Sequence, residues 1–182
     1  MKKFLILCLL AFITSKIVMT KTQWVQKLEE LAKRKTVYKM AYPWNVLYCD
    51  GKIWYCDCVN LLKALFNGRD INNWKAGSKA ETLSNTGDVN ADGFIKKCSH
   101  QSSDFSKLKE GEPRVIHMKG HIGTYIGKVV SGKYNVIECT AAWGGGILYS
   151  WVDSNGTRRK SKGGETKGKW TTHARPSAWV SY

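Results

Sequence analysis

Cys58 is the residue of this chain whose type and position are best suited to nucleophilic chemistry. It follows Asp57, a good helix N-cap residue, and opens an apolar segment in which Val59, Leu62 and Phe66 repeat with helical spacing. Cysteine in the first turn of a helix lies near free backbone N–H groups and the positive end of the helix dipole, which favour a thiolate. We therefore predict that Cys58 is a nucleophile, although this stretch alone also fits a buried packing cysteine or half of a disulfide.

A nucleophilic cysteine needs a base near its sulfur and usually a polar group that orients the base. His121 opens a predicted strand, and Glu138 lies in the otherwise apolar stretch that forms the next strand. A carboxylate in such a strand needs a partner, and a histidine on the neighbouring strand can supply one. We expect Cys58, His121 and Glu138 to form one group, with His100 and His173 on the surface in polar loops.

The elements that would hold these residues follow the order helices first, strands later, which is the pattern of the α+β class. Thr20 and Gln23 have the form of a capping box and predict an amphipathic helix over residues 22–36. The Cys58 helix follows, ending near residue 67, and a short helix is expected over residues 94–98.

Beyond residue 111 the hydrophobic pattern changes to short runs rich in β-branched residues. Residues 114–118, 121–130 and 133–140 are separated by glycine-containing turn signals, which predicts an antiparallel meander. Further strands are expected over residues 147–152 and at 179–182. Within the second run, Gly123 shares a face with His121, so that face is either left open for a substrate or closely approached by other backbone.

The chain has 182 residues and a formal net charge of +15, which fits one basic domain. A surface of this kind attracts polyanions such as nucleic acid, anionic lipid or an acidic wall polymer. Basic residues concentrate in residues 156–175, which we interpret as a solvated basic loop or an electrostatic anchor. They are not interleaved into a nucleic-acid reading motif, so nucleic-acid binding is not expected.

The first residues resemble an export signal. Lys2 and Lys3 precede an apolar run over residues 4–13, which is too short to span a bilayer. We predict a signal peptide over residues 1–20 and hence secretion, with no transmembrane anchor. The alternative is a leaderless protein that starts at Met19.

Cysteine usage favours a free thiol over a structural framework. Removal of residues 1–20 would leave an odd number of cysteines, so at least one thiol stays unpaired: Cys49, Cys56, Cys58, Cys98 and Cys139. Cys56 is assigned to packing or to a disulfide, and the pairing of the other cysteines stays open. No metal-ligand spacing is present, so no metal or cofactor is expected.

The order and context of these residues resemble the NlpC-type, papain-like cysteine peptidases that cut bacterial cell-wall peptides. The resemblance is carried by Asp57-Cys58, by the sequence GHIGTYIG over residues 120–127, by Glu138 after Val136-Ile137, and by Tyr42-Pro43-Trp44. It covers residues 40–182, and residues 138–144 and 170–182 look like the endolysins of gut bacteriophages. Val59-Asn60 replaces the usual Ser-Gly, and Glu138 stands where many members have histidine, which is closer to the CHAP amidases.

This resemblance implies a papain-like fold over a single domain, residues 21–182, with N-terminal helices packed on a central antiparallel sheet. It implies a nucleophilic Cys58, a base and acid at His121, an orienting Glu138, and a Tyr42 hydroxyl at the oxyanion. Asp57, Gly123 and Trp143 are expected to line the substrate cleft.

The activity implied is peptidoglycan hydrolysis, and the start at Met19 would fit a phage lysis protein. The bond cleaved lies either between stem-peptide residues or between muramic acid and L-alanine. Peptidoglycan and anionic wall polymers are the expected partners of a monomer. Two alternatives stay open: a non-catalytic cationic wall- or membrane-binding protein, and a thiol acyltransferase on the same fold.

Overall fold

A computed structural model describes residues 18–40, 47–72 and 83–182. Its helices are α1 (Lys21–Ala32), α2 (Cys58–Phe66) and α3 (Ala91–Lys96). Its strands are β1 (Met19–Thr20), β2 (Thr36–Tyr38), β3 (Tyr48–Cys49), β4 (Trp54–Cys56), β5 (Ser99–Ser102), β6 (Arg114–Met118), β7 (His121–Val130), β8 (Tyr134–Thr140), β9 (Gly146–Val152), β10 (Thr157–Arg159), β11 (Thr166–Lys169), β12 (Thr172–Arg175) and β13 (Val180–Ser181). These elements confirm the α+β class.

An eight-stranded antiparallel sheet with the order β11-β10-β9-β8-β7-β6-β12-β5 forms the centre of the described fold. Strands β6 to β9 are sequential neighbours, which confirms the predicted meander. Two smaller sheets accompany it: β2-β4-β3, and the parallel pair β1-β13.

The two faces of the large sheet are covered differently. On one face, Ile122, Ile137 and Cys139 pack in a continuous core with residues from all three helices. Every residue of α2 is buried, so this helix has no solvent-facing stripe. The opposite face is covered by Phe105 and Trp170, which cluster with apolar side chains of β6, β7, β8 and β9.

The N-terminal helix begins as the sequence predicts but ends earlier. Thr20 and Gln23 form both hydrogen bonds of the capping box. The helix stops at Ala32, and Thr36, the last residue of the predicted helix, instead opens the strand Thr36–Tyr38, whose β-branched residues pair parallel with β4. Met19 and Thr20 belong to the fold, although the predicted signal peptide would include them, since they pair with β13.

Two further expectations need correction. The helix expected over residues 94–98 spans Ala91–Lys96 instead, because Asn90 caps it by accepting from the N–H of Gly93 at 2.8 Å. His173 is not a surface residue: it lies in β12 between β6 and β5, only 1% exposed, and Nε2 bonds the Asp104 carbonyl at 2.9 Å.

Among the described residues, none of the helices is both long and apolar enough to cross a membrane.

Candidate active site

Helix α2 fixes Cys58 at its first position. The Asp57 carboxylate accepts from the N–H of Asn60 at 2.9 Å and from its side-chain amide at 2.6 Å, so the predicted N-cap is confirmed. Asp57 is itself buried, and Cys58 is only 6% exposed. The thiol is therefore held in one place by a rigid, fully packed helix start.

The sulfur of Cys58 lies where β7 begins. The backbone N–H groups of Ile122 and Val59 lie near this sulfur and favour its ionised form. Pairing of β7 with β8 includes Thr124 opposite Ile137, and the same register extended back places Gly123 opposite Glu138. The helix start thus meets the sheet beside His121, the residue that precedes Ile122.

The expectation that this position favours a thiolate is wrong. Burial of the sulfur and the negative charge of Asp57 raise the pKa of Cys58 to about 12, although the hydrogen bonds from Ile122 and Val59 act in the opposite direction. The N-cap that creates the helix start therefore also places an anion beside the thiol. At neutral pH Cys58 is a thiol, and any nucleophile must be formed by proton transfer to a base.

His121 is oriented by Glu138 as the sequence predicts. Its Nε2 lies 2.6 Å from a carboxylate oxygen of Glu138, and its ring stacks on Trp170 with centroids 5.3 Å apart. This contact uses Nε2, so Nδ1 is the ring nitrogen that does not contact Glu138. Among the described residues, no hydrogen bond joins the Cys58 sulfur to the His121 ring.

Glu138 is wholly buried, and its negative charge is balanced by Arg158, which lies in the segment interpreted from the sequence as a basic loop or anchor. Arg158 donates to both carboxylate oxygens at 2.7–3.0 Å, and Ser150 donates a further hydrogen bond at 2.5 Å. Burial raises the pKa of Glu138, but the hydrogen bonds from His121 and Arg158 and the charge of Arg158 outweigh it and lower the pKa overall. Glu138 is therefore an anion at neutral pH.

The interpretation of residues 156–175 as a solvated basic loop is wrong in two respects. The segment contains all of β10, β11 and β12, and Arg158 is only 3% exposed. Alternation along Thr157–Arg159 points one arginine inward. Glu138, a carboxylate in an apolar strand, was the sequence signal that a cation is needed, but nothing local indicated which one.

The expected cleft residues occupy different environments. Gly123 does not leave its face open: a Cβ there would lie 3.2 Å from a Trp170 ring carbon and 3.1 Å from the Cβ of Glu138. This glycine makes room for the Trp170 side chain, so the face is neither open nor approached closely by other backbone. Trp143 lies beside the site with a left-handed backbone (φ 56°), its ring 4.5 Å from the Arg158 guanidinium.

Tyr42, expected at the oxyanion, lies outside the described residues. A second tyrosine that sequence reasoning missed is close to the thiol. Tyr38 pairs with Cys56 in the small sheet, and burial followed by the charges of Cys58 and Asp57 raises the pKa of Tyr38 to about 12. Its phenol is therefore protonated and available as a hydrogen-bond donor near Cys58.

The remaining cysteines of the described chain are free thiols. Cys56 and Cys139 have their sulfurs 3.2 Å apart in the core, and Cys139 also bonds the Cys56 carbonyl. This contact joins β4 to β8 directly behind the Cys58 helix start. Packing, one of the two roles predicted for Cys56, is what the structure shows.

No protein-family model, no curated protein and no solved structure matches this chain. Among the described residues there is also no group of three histidine, cysteine or acidic side chains that could hold a metal ion. The reactive groups present at the site are the Cys58 thiol, the His121 imidazole and the buried Glu138 carboxylate.

Proposed function

We propose that this protein is a papain-like peptidoglycan hydrolase, secreted or encoded by a phage, that cleaves an amide bond through Cys58. The observation that carries the proposal is the His121–Glu138 pair, 2.6 Å apart, at the start of the strand whose next residue, Ile122, has a backbone N–H near the Cys58 thiol. A packing cysteine needs no base, whereas a thiol whose pKa is about 12 needs one to become a nucleophile.

The reaction begins with transfer of the thiol proton to Nδ1 of His121 as the sulfur attacks the substrate carbonyl. Glu138 holds the ring in place and stabilises the imidazolium that forms, without taking its proton. His121 then returns the proton to the leaving amine as the C–N bond breaks, which leaves a thioester on Cys58. Water, deprotonated by the same imidazole, hydrolyses the thioester and restores the thiol.

The tetrahedral oxyanion needs donors that are already in position. The Cys58 N–H at the start of α2 is one, and a tyrosine hydroxyl is the other: Tyr42 by resemblance, or Tyr38 by its place beside the thiol. Each such donor contributes about 3 kcal/mol in related acyl-transfer chemistry.

Analysis of the products released from purified walls tests this function. We expect soluble muropeptides that carry a new carboxylate at a stem-peptide or a muramoyl-peptide junction. Walls that bind the protein but release nothing would indicate the cationic binding protein, and an acyl group found on an added amine would indicate the acyltransferase. Walls of several known chemotypes identify the bond.

The basic hairpin β10–β11 is proposed to hold the enzyme on anionic wall polymers. Lys160, Lys162, Lys167 and Lys169 are exposed on it, and Trp143 beside Arg158 connects this hairpin to the site. Exposed charges act through water and are screened over about 8 Å at physiological salt. Retention by walls should therefore fall steeply as salt increases.

Replacing those four lysines with glutamine should weaken wall retention at low salt and flatten its salt dependence. Sedimentation of the protein with walls across a sodium chloride series measures both. The matched control removes four exposed lysines from other surfaces: Lys33, Lys35, Lys52 and Lys96. Equal losses in the two variants would show that only net charge matters.

A further inference from the structure

Arg158 is a buried cation that donates hydrogen bonds from all three of its guanidinium nitrogens. Its Nε and Nη2 both reach the Glu138 carboxylate, Nη2 also donates to the Thr140 hydroxyl at 2.8 Å, and Nη1 donates to the Lys167 carbonyl at 2.9 Å. A planar guanidinium can make this set of contacts, and a lysine ammonium cannot. The fork therefore fixes the carboxylate in one orientation.

Aromatic rings also connect Arg158 to the imidazole of His121. The guanidinium lies 4.5 Å from the Trp143 ring and 5.7 Å from the Trp170 ring, and Trp170 stacks on His121 at an interplanar angle of 20°. His121 is thus held by Glu138 through a hydrogen bond and by Trp170 through its face. Both of these supports contact Arg158.

The charge of Arg158 also decides how many protons the Glu138–His121 pair holds. A buried carboxylate without a cation would either take up a proton or hold the imidazole as imidazolium. In both cases the pair carries an additional proton, and His121 cannot accept one from Cys58. The Arg158 guanidinium supplies the positive charge instead, so the imidazole of His121 can accept the thiol proton.

We propose that Arg158 is a positioning residue that keeps the His121–Glu138 pair ready to accept the Cys58 proton at neutral pH. This inference rests on the proposed function, because it assigns Arg158 a role only if Cys58 is activated by His121. It goes beyond a cysteine–histidine–carboxylate group by adding a fourth member, which acts through Glu138 and does not touch the substrate.

The test is the rate at which iodoacetamide alkylates Cys58 as a function of pH, measured on the Cys58 peptide by mass spectrometry. This readout needs no wall substrate. Arg158→Met removes the charge and keeps the stem, and Arg159→Met is the control, because Arg159 pairs with Asp153 and not with Glu138. We expect Arg158→Met to move the pH at which the alkylation rate of Cys58 is half-maximal upward by about one pH unit. Arg159→Met should leave that midpoint unchanged.

Arg158→Lys is the second variant, used alongside the first in case the methionine variant fails to fold. It keeps a positive charge but loses the fork, so we expect a smaller upward shift and a lower plateau rate. Thermal melts identify folded variants. A folded Arg158→Met protein with the wild-type midpoint, or an Arg158→Lys protein with the wild-type midpoint and plateau, overturns the proposal.

The same data separate this inference from the proposed function. Cys98 is also a buried thiol, and burial raises the pKa of Cys98 to about 12 as well. If Cys58 in the unmodified protein reacts only at the high pH at which Cys98 reacts, the imidazole does not activate it and the proposed function fails. If Cys58 reacts at lower pH but its midpoint is the same in the Arg158 variants, only the inference about Arg158 fails.

Discussion

Cys58→Ala protein is expected to release no soluble muropeptides from walls and to retain its fold. Removal of the nucleophile from such a catalytic group costs about six orders of magnitude in rate. The side chain is small and 6% exposed, so the alanine leaves only a small gap at the start of α2. Release is measured as soluble reducing sugar or amino groups over time, with a thermal melt for the fold.

Cys98→Ala is the matched control for that result. Cys98 is as buried as Cys58, with its thiol 3.6 Å from the Phe94 carbonyl and with its pKa raised by burial to the same extent. It is therefore expected to tolerate alanine with its activity intact. Equal activity of the two variants would contradict a catalytic role for Cys58.

Glu138→Ala is expected to lower the free energy of unfolding by about 3–5 kcal/mol, because removal of one partner leaves a buried cation unpaired. Arg158 is 3% exposed and would lose its hydrogen bonds to the carboxylate. For a domain of this size the loss corresponds to a fall in thermal midpoint of roughly 6–20 °C. Urea unfolding gives the free energy directly.

An exposed carboxylate elsewhere supplies the control. Glu110→Ala removes the same charge from the surface, and a change within about 0.5 kcal/mol is expected. Glu138→Gln keeps the shape but not the charge, so an intermediate loss is expected. A Glu138→Ala protein as stable as Glu110→Ala would show that the ion pair is not a buried, dehydrated one.

The same carboxylate should make stability fall in acid. Because the folded pKa of Glu138 is lowered, the unfolded chain binds more protons at this group, and stability rises with pH. The contribution is fully present above the ordinary glutamate pKa and is lost as pH falls through the lowered folded value. Urea unfolding of the parent and of Glu138→Gln across that range should show the smaller acid loss in the variant.

Local patterns in the sequence predicted the parts of the fold that depend on neighbours in the chain. The capping box at Thr20, the Asp57 N-cap and the three hairpin strands from residue 114 to 140 all match the structure. Each depends on side chains within a few positions or on a turn between adjacent strands. His121 beside Glu138 followed from the same meander.

Contacts between distant segments could not be predicted in that way. Arg158 reaches Glu138 from a strand twenty positions later, and Trp170 fills the space above Gly123. The raised pKa of Cys58 depends on burial by the whole core, which the helix start alone does not determine. His173 was assigned to a loop because its neighbours in the sequence are polar, whereas it lies in β12, which pairs with β5 and β6.

One measurement bears most directly on the proposal that Cys58 is the nucleophile. The folded protein is treated with increasing iodoacetamide, and each sample is divided to measure the fraction of Cys58 alkylated and the remaining release of wall fragments. Activity is predicted to fall in proportion to unmodified Cys58 and to vanish when alkylation of that residue is complete. Continued release of fragments by protein fully alkylated at Cys58 would contradict it.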